Sequence, residues 1–325
     1  MHKHQQLIEL LDQSKTVSGR VLGAALGMSR MGIQKRMQQL VDNGLPVEAV
    51  PGKGYSLADG ISLLTSTRIR SYLESDSLES LEVMQSIPST NSHLLSQSVE
   101  ISRARICVAE SQSAGRGRRG NDWQSAPYRN VMMSISWGFD RWPDTITGLG
   151  LAVSLAIAEY LNERYQIDAK IKWPNDLMVG DDKLGGILID VAGEASSACN
   201  VVIGLGLNVH QPDWSNGEAY RWQDLTSLGS VVDRNELIGH ISAKLINMLQ
   251  VFNRVGFAPM VDRWNALSCY AGRRVRVGSG SYVEGKVQTV DAAGALIIKS
   301  DDGELHRFAD SNVSVRLVSQ LRGDA

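Results

Sequence analysis

The chain has 325 residues, more than most single hydrophobic cores hold, so we expect two or three domains. Its formal net charge of −2 excludes a globally basic nucleic-acid-binding protein, and any contact with DNA must therefore come from a local basic patch. The three cysteines are widely spaced, and no His, Cys and carboxylate residues have metal-ligand spacing, which argues against a disulfide framework and a zinc knuckle.

The N-terminal stretch is polar, and the longest apolar run, at residues 149–157, is too short to cross a bilayer. Unpaired cysteines are typical of a reducing compartment. We therefore expect no membrane segment and a cytoplasmic location.

Residues 1–62 show three helical patterns followed by a short β-wing. Ser18 and Ser29 are placed to cap the second and third helices, which are joined by a tight glycine turn. Two strand patterns then flank the turn at residues 51–54. A pair of short helices with a wing is typical of a winged helix-turn-helix DNA-binding domain.

The third helical pattern carries a basic and amide-rich face. Arginine and lysine neutralise phosphates, while glutamine can read base edges. The alternative is a small solvated helical domain that contacts other proteins. The candidate DNA-binding residues are Ser18, Ser29, Arg30, Gln34, Lys35, Arg36, Gln38 and Lys53.

A polar, serine-rich stretch at residues 63–80 is predicted to link this domain to a second one, at residues 81–268. There, Ser89, Thr90 and Asn91 follow a strand pattern and open a helix. Such residues are preferred helix caps, and the same hydroxyl and amide groups could also face a ligand.

Residues 115–120 hold three arginines among three glycines and follow a buried strand pattern. Free backbone amides and guanidinium groups both suit phosphate. The spacing matches neither a Walker loop nor a dinucleotide-binding fingerprint. The alternative is a disordered basic loop like those that bind RNA.

The sequence Lys-Trp-Pro-Asn-Asp at residues 172–176 is followed by a turn at residues 180–182 and by Lys-Leu-Gly-Gly-Ile-Leu at residues 183–188. We predict strands on both sides of each turn, which gather lysine, amide and carboxylate groups at one end of a sheet. This combination suits an acidic small molecule, although an ordinary polar hairpin is the alternative.

Gly204 and Gly206 alternate along a predicted strand that leads to Asn208. Such glycines give the strand a flat surface, which suits either a ligand ring or close packing of a neighbouring strand. An aromatic-rich loop with Trp214, Tyr220 and Trp222 follows. Amphipathic helices then run to about residue 268, and residues 269–325 show short strands separated by turns, which predicts a small all-β barrel.

The motifs at residues 172–176 and 183–188 resemble those of biotin–protein ligases, and with residues 1–62 the chain resembles the bifunctional ligases that also repress the biotin operon. The resemblance implies an α+β protein with a winged helix-turn-helix, a central α/β catalytic domain with a mixed sheet, and a C-terminal SH3-like barrel. The chain departs from the pattern at Asn121 and Asp122, where a repressor of the family has two more basic residues before Trp123.

The resemblance also assigns roles to residues. The implied catalytic residues are Lys183 and Arg118. The implied biotin-binding residues are Ser89, Thr90, Asn91, Gln112, Gly115, Arg116, Gly117, Arg118, Lys183, Gly186, Gly204 and Gly206. The implied ATP- and adenylate-binding residues are Arg116, Arg118, Arg119, Asn175, Asp176, Lys183, Asn208 and Trp222. No dedicated metal site is implied, since Mg²⁺ would be held by ATP phosphates, with Asp176 as the candidate protein ligand.

A member of this family would form biotinyl-5′-AMP from biotin and ATP and transfer biotin to a lysine of the biotin carboxyl carrier protein of acetyl-CoA carboxylase. The adenylate would act as corepressor, bringing a homodimer to operator DNA. The alternatives are a ligand-sensing regulator without catalysis and a lipoate–protein ligase. The polar residues from Ser89 to Asn91, with Gln112, favour biotin, because lipoate has no ureido group.

Overall fold

The computed structural model describes residues 2–12, 16–58, 61–98, 100–140, 146–193, 198–210, 222–309 and 313–321. Helices, a mixed sheet and an antiparallel sheet follow one another along the chain, and the predicted α+β architecture is confirmed. No helix within these ranges has the length and apolarity to cross a membrane.

The N-terminal part consists of three helices and a two-stranded antiparallel wing. The helices are α1 (His2–Asp12), α2 (Gly19–Leu26) and α3 (Arg30–Asp42), and the strands are β1 (Val47–Val50) and β2 (Gly54–Leu57). Ser18 Oγ accepts a hydrogen bond from Val21 N, and Ser29 Oγ accepts one from Gly32 N, as expected of helix caps. The caps fix where α2 and α3 begin, which sets the side chains that α3 presents to solvent.

The central part is built on a seven-stranded sheet in the order β3-β4-β5-β9-β8-β7-β6, in which only β3 and β4 pair in parallel. The inner strand β5 is buried along its whole length, which agrees with its mostly apolar sequence. The strands are β3 (Leu78–Met84), β4 (Ala104–Ala109), β5 (Val131–Phe139), β6 (Ala169–Lys172), β7 (Asp176–Val179), β8 (Asp182–Gly193) and β9 (Cys199–Leu207).

Five helices cover this sheet or lie at its ends: α4 (Ser66–Ser71), α5 (Thr90–Leu95), α6 (Ile146–Tyr165), α7 (Arg234–Val255) and α8 (Val261–Leu267). The segment predicted as a linker contains α4 and the start of β3. Its apolar residues Leu64, Ile69 and Leu73 are buried in the central core. This segment therefore packs as part of the central domain.

The C-terminal part is a five-stranded antiparallel sheet in the order β13-β12-β11-β10-β14, followed by the short helix α9 (Val318–Leu321). Its strands are β10 (Arg274–Ser279), β11 (Ser281–Val290), β12 (Leu296–Lys299), β13 (Leu305–Phe308) and β14 (Ser314–Leu317). The Trp173 indole Nε1 donates a buried hydrogen bond of 3.0 Å to Gly294 O in the β11–β12 turn. The sheet is therefore docked onto the turn between β6 and β7.

A buried ion pair within the central part also holds the backbone at residues 62–64, where the N-terminal part ends. Arg234 Nη1 lies 2.7 Å from Glu110 Oε2, and the two side chains are 3% and 0% exposed. Glu110 Oε1 also accepts a hydrogen bond from Leu64 N, and Arg234 donates to Ser62 O and Asn130 O. Glu110 and Asn130 bracket the segment that contains the arginine–glycine loop, so one arginine holds both ends of that segment.

Tyr128, near the end of the same segment, is buried in the apolar core of the N-terminal part. Its backbone has a φ of 62°, and its N–H donates to Glu110 O at 2.9 Å. Burial and the Glu110 charge raise the pKa of Tyr128 to about 12. A residue of the central segment thus completes the core of the first domain.

Candidate functional site

Lys183 lies on β8 and faces Asp176 on β7. Its Nζ is 2.7 Å from Asp176 Oδ1 and 5.7 Å from the centre of the Trp123 ring. The backbone of Lys183 is fixed by two hydrogen bonds to its carbonyl oxygen, which Asn208 Nδ2 donates at 3.3 Å and Gln223 N donates at 3.0 Å. The structure thus brings the predicted lysine and carboxylate together in a half-exposed position.

Asn208 and Trp222 occupy the layer behind this lysine. Asn208 is buried, and its Nδ2 also donates to Gln223 O at 3.2 Å. Trp222 forms a parallel bridge with Lys183 through the backbone. Asn208 and Trp222, which were both predicted to bind the nucleotide, therefore contact the backbone of β8 at Lys183. The other aromatics of the predicted loop, Trp214 and Tyr220, lie outside the described residues.

Arg118 ties the arginine–glycine loop to the β6–β7 turn. Its Nη1 donates to Asn175 Oδ1 at 2.8 Å, and Asn175 Nδ2 donates in turn to Ile187 O. Arg118 begins a single 3₁₀ turn, in which Arg119 has a left-handed φ of 59°. Arg119 is exposed and forms no hydrogen bond or ion pair with the described residues, so the structure does not bring it into the cluster.

Asp190 connects two predicted ligand residues. Its Oδ2 accepts hydrogen bonds from Arg116 Nη2 at 2.6 Å and from Asn91 Nδ2 at 2.9 Å. The sequence analysis missed this residue. A usable signal was present, because Asp190 is the only charged residue in the apolar run after Gly186 on β8.

The start of α5 forms a buried polar network. Gln112 Oε1 accepts hydrogen bonds from Thr90 N at 2.8 Å and from Thr90 Oγ1 at 3.0 Å. Ser134 Oγ lies 2.7 Å from Thr90 Oγ1 and 2.5 Å from Asn91 Oδ1, and all of these groups except Gln112 are buried. Ser89 Oγ caps α5 by accepting from Ser92 N. Sequence reasoning missed Ser134, whose alternation in β5 resembled ordinary packing.

Other side chains occupy the space beside two glycines of β9, Gly204 and Gly206. A Cβ on Gly204 would overlap Asn91 Oδ1, and a Cβ on Gly206 would overlap the Trp123 ring. Trp123 therefore lies directly against this strand, and its buried Nε1 has no hydrogen-bond partner among the described residues. The flat wall predicted from the alternating glycines is present, with an indole and an amide packed on it.

The rest of the loop surrounds a cleft. A cavity of about 730 Å³ is lined by residues 112–115 and 122–125, the two limbs of the loop. Gly115 is buried, with its carbonyl accepting from Trp123 N at 3.0 Å, and Gly117 N donates to Asn121 O at 2.6 Å. These backbone bonds hold the two limbs together. Gly186 lies on β8, where a Cβ would come within 3.2 Å of Lys183 Nζ.

The predicted DNA-binding side chains form a separate surface. Arg30, Gln34, Lys35, Gln38 and Lys53 are exposed and Arg36 is half-buried. Gln38 Nε2 donates to Asp42 Oδ1 at 2.9 Å. The hydroxyls of Ser18 and Ser29 are engaged as helix caps.

Metal-ligating side chains do not gather around Lys183 in the part of the chain that is described. The one group of three there is Asp302, Glu304 and His306, which lies in the C-terminal sheet. Asp176 pairs with Lys183, and Asp190 pairs with Arg116. Asp176 is therefore the candidate protein ligand for a divalent cation beside Lys183.

Comparisons with known proteins cover nearly the whole chain. The model of the biotin/lipoate A/B protein ligase family matches residues 83–208, an HTH domain model matches residues 3–56, and the biotin protein ligase C-terminal domain model matches residues 270–316. The described structure resembles the biotin protein ligase from Aquifex aeolicus in complex with biotin and ATP, with a TM-score of 0.63 and 23% identity over 75% of this chain and 100% of that chain. This likeness supports the fold.

Two curated relatives are similar over almost their full length. The chain is 37% identical to the bifunctional ligase/repressor BirA of Salmonella typhimurium, covering 95% of this chain and 96% of that protein. It is 36% identical to the bifunctional ligase/repressor BirA of Escherichia coli, covering 96% of both. The resemblance inferred from the two lysine motifs is confirmed. The chain belongs to the biotin–protein ligase family, among its bifunctional ligase/repressors.

Proposed function

We propose that this chain is a biotin–protein ligase that also represses transcription. It joins biotin and ATP into biotinyl-5′-AMP and transfers biotin to a lysine of the biotin carboxyl carrier protein of acetyl-CoA carboxylase. One observation carries the catalytic part: Lys183 Nζ stands beside Asp176 and under Trp123, and Arg118 is tethered to the same turn through Asn175.

The reaction requires two anions to meet. A biotin carboxylate oxygen forms a bond to the α-phosphorus of ATP, and the bond from that phosphorus to the pyrophosphate oxygen breaks. Lys183 and Arg118 supply positive charge where these groups converge, and such preorganised charge stabilises the transition state. Lys183 is half-exposed, so its ammonium can exchange Asp176 for the substrate carboxylate.

The network at the start of α5 suits the ureido ring of biotin. It offers hydroxyl and amide groups from Ser89 to Asn91, with Ser134 and Gln112 behind them. The glycines of β9 allow Asn91 and the Trp123 ring to lie directly against the strand, beside this network. A lipoate ligase is the second candidate, but a dithiolane ring offers no group that could hydrogen-bond to this polar network, whereas a ureido ring does, which favours biotin.

The residues present fit Mg²⁺ only in a limited way, since the carboxylate that pairs with Lys183 is that of Asp176. Bound with ATP, Mg²⁺ would screen the charge of the triphosphate. Asp176 would hold one of its coordination positions, and phosphate oxygens and water would hold the rest. Once Lys183 has turned to the substrate, Asp176 is also free to orient the acceptor amine of the carrier protein.

The test is biotin-dependent exchange of radiolabelled pyrophosphate into ATP. We expect exchange with biotin, at least tenfold less with lipoate, and a loss of at least a hundredfold in Lys183→Met, about the loss seen when one charge-stabilising donor is removed. The matched control is Lys244→Met, which removes a lysine that pairs with Glu163 on the helical side. No exchange by a folded, biotin-binding wild-type protein would favour a regulator without catalysis.

The repressor role is supported by the exposed basic face of α3 and by the wing. We propose that the adenylate acts as corepressor: it orders the arginine–glycine loop, favours a homodimer, and brings two winged helices to palindromic operator DNA. Sedimentation should show a larger dimer fraction with adenylate, and an unchanged fraction would remove this branch. Cys107, Cys199 and Cys269 form no disulfide bond, which supports a cytoplasmic location.

A further inference from the structure

One large apolar side chain is exposed to solvent at the start of α3. Met31 is 81% exposed, and because Ser29 caps the helix, Met31 is its second residue. The domain core takes Ile33, Met37 and Leu40 from the opposite face. Packing within this protein therefore does not account for a methionine at this position.

Met31 begins a continuous exposed ridge. Residues spaced by three and four positions lie on one helix face, and this spacing relates Met31 to Gln34, Lys35 and Gln38. All four are exposed. The ridge thus presents an apolar group at its N-terminal end, followed by two amides and one ammonium group.

The surroundings of this ridge favour a polyanion over an apolar partner. Between Asp12 and Asp42 the sequence holds five basic and no acidic residues. The other exposed apolar residue of the helix, Val41, lies ten residues away, which is about 15 Å along the axis. The two side chains do not form one patch on which an apolar protein surface could dock.

We propose that Met31 contacts the C5-methyl group of a thymine in the operator and so helps to determine sequence specificity. This inference rests on the repressor role proposed above. The N-terminal residues of a recognition helix reach base edges in the major groove, and the thymine methyl is the apolar feature displayed there. Gln34 lies one turn further along, where its amide can reach a neighbouring base edge.

The test uses duplexes selected from a random-sequence library by the full chain loaded with biotinyl-5′-AMP. Each thymine of a selected duplex is replaced in turn by deoxyuridine, which removes only the methyl group. We expect one thymine in each half-site whose replacement weakens binding about fourfold, the effect of exposing one buried methyl-sized group. Met31→Ala should weaken binding to the parent duplex to a similar extent and lose its sensitivity to that replacement.

Two controls separate this contact from general binding. Val41→Ala, at the other exposed large apolar residue of α3, should keep both the affinity and the thymine sensitivity. Lys53→Ala should reduce the salt dependence of binding while keeping the thymine sensitivity, because a phosphate contact carries no base information.

Two results would overturn the inference: a selected half-site without thymine, or a Met31→Ala protein that remains sensitive to the same deoxyuridine. Failure of the repressor role is distinguishable, because the adenylate-loaded wild type would then enrich no duplex.

Discussion

Gly204 is the residue at which the absence of a side chain has the clearest consequence, since Asn91 Oδ1 occupies the space that a Cβ would fill. In Gly204→Ala, Asn91 must move and break its bonds to Ser134 and Asp190. We expect the KM for biotin in pyrophosphate exchange to rise at least tenfold, with a much smaller change in the KM for ATP. Gly150→Ala is the control, because a Cβ there makes only ordinary contacts. Equal effects of the two substitutions would contradict this prediction.

The Arg234–Glu110 pair gives a second prediction at the scale of single residues. Removing one partner of a buried ion pair costs about 3–5 kcal/mol, because the other charge is left uncompensated. We expect Arg234→Met to lower the free energy of unfolding in urea by that amount, and Arg234→Met with Glu110→Gln to recover part of it. Arg263→Met, which removes one partner of the exposed pair with Glu159, should cost less than about 1 kcal/mol.

The site residues that could be predicted are those whose partners are near in sequence. Lys183 and Asp176 are seven positions apart across one turn, so the motif itself predicts their approach. Asp190 and Asn91 are separated by 99 positions and meet only because α5 packs on the sheet that contains β8. No local pattern encodes that meeting, nor the burial of Trp123 against Gly206.

At the scale of elements, the β11–β12 turn depends on Asp291. Its carboxylate accepts hydrogen bonds from Ala293 N, Ala295 N and Arg307 Nε. Partial burial raises the pKa of Asp291, but these bonds outweigh it, and the pKa lies below the ordinary value of 3.8.

A lowered folded-state pKa has a defined sign in stability. The contribution of Asp291 to the unfolding free energy is fully present above the unfolded pKa, near 3.8, and is lost as the pH falls through the lower folded pKa. Asp291→Asn should therefore be less stable than the wild type at neutral pH, and the difference should shrink below about pH 4. Urea unfolding at several pH values measures it, and a difference that does not change with pH would be inconsistent with this role.

Secondary structure followed the sequence wherever local signals were strong. The glycine turns of the C-terminal sheet and the caps of α2 and α3 lie where the residue types predict them. The segment at residues 63–80 shows the limit. Its polar composition predicted a linker. Its packing is instead determined by Leu64, Ile69 and Leu73, which contact residues that lie far away in the sequence.

At the scale of the whole molecule, the loop around the site rests on the DNA-binding domain through Tyr128. Deleting residues 1–60 should abolish DNA binding and retain exchange activity. It should also uncover Tyr128 and loosen one limb of the loop, so the KM for biotin should rise. Filter binding and pyrophosphate exchange on the truncated and full chains measure both effects. A truncated chain with an unchanged KM would show that this contact does not influence the site.

The position of Tyr128 also affects the order of events during translation. The first 58 residues emerge from the ribosome before Tyr128, one of the buried residues of their core, has been synthesised. We therefore expect the nascent winged helix to remain incompletely packed until about 70 more residues have emerged. The growing polypeptide should become resistant to protease only after Tyr128 has left the exit tunnel.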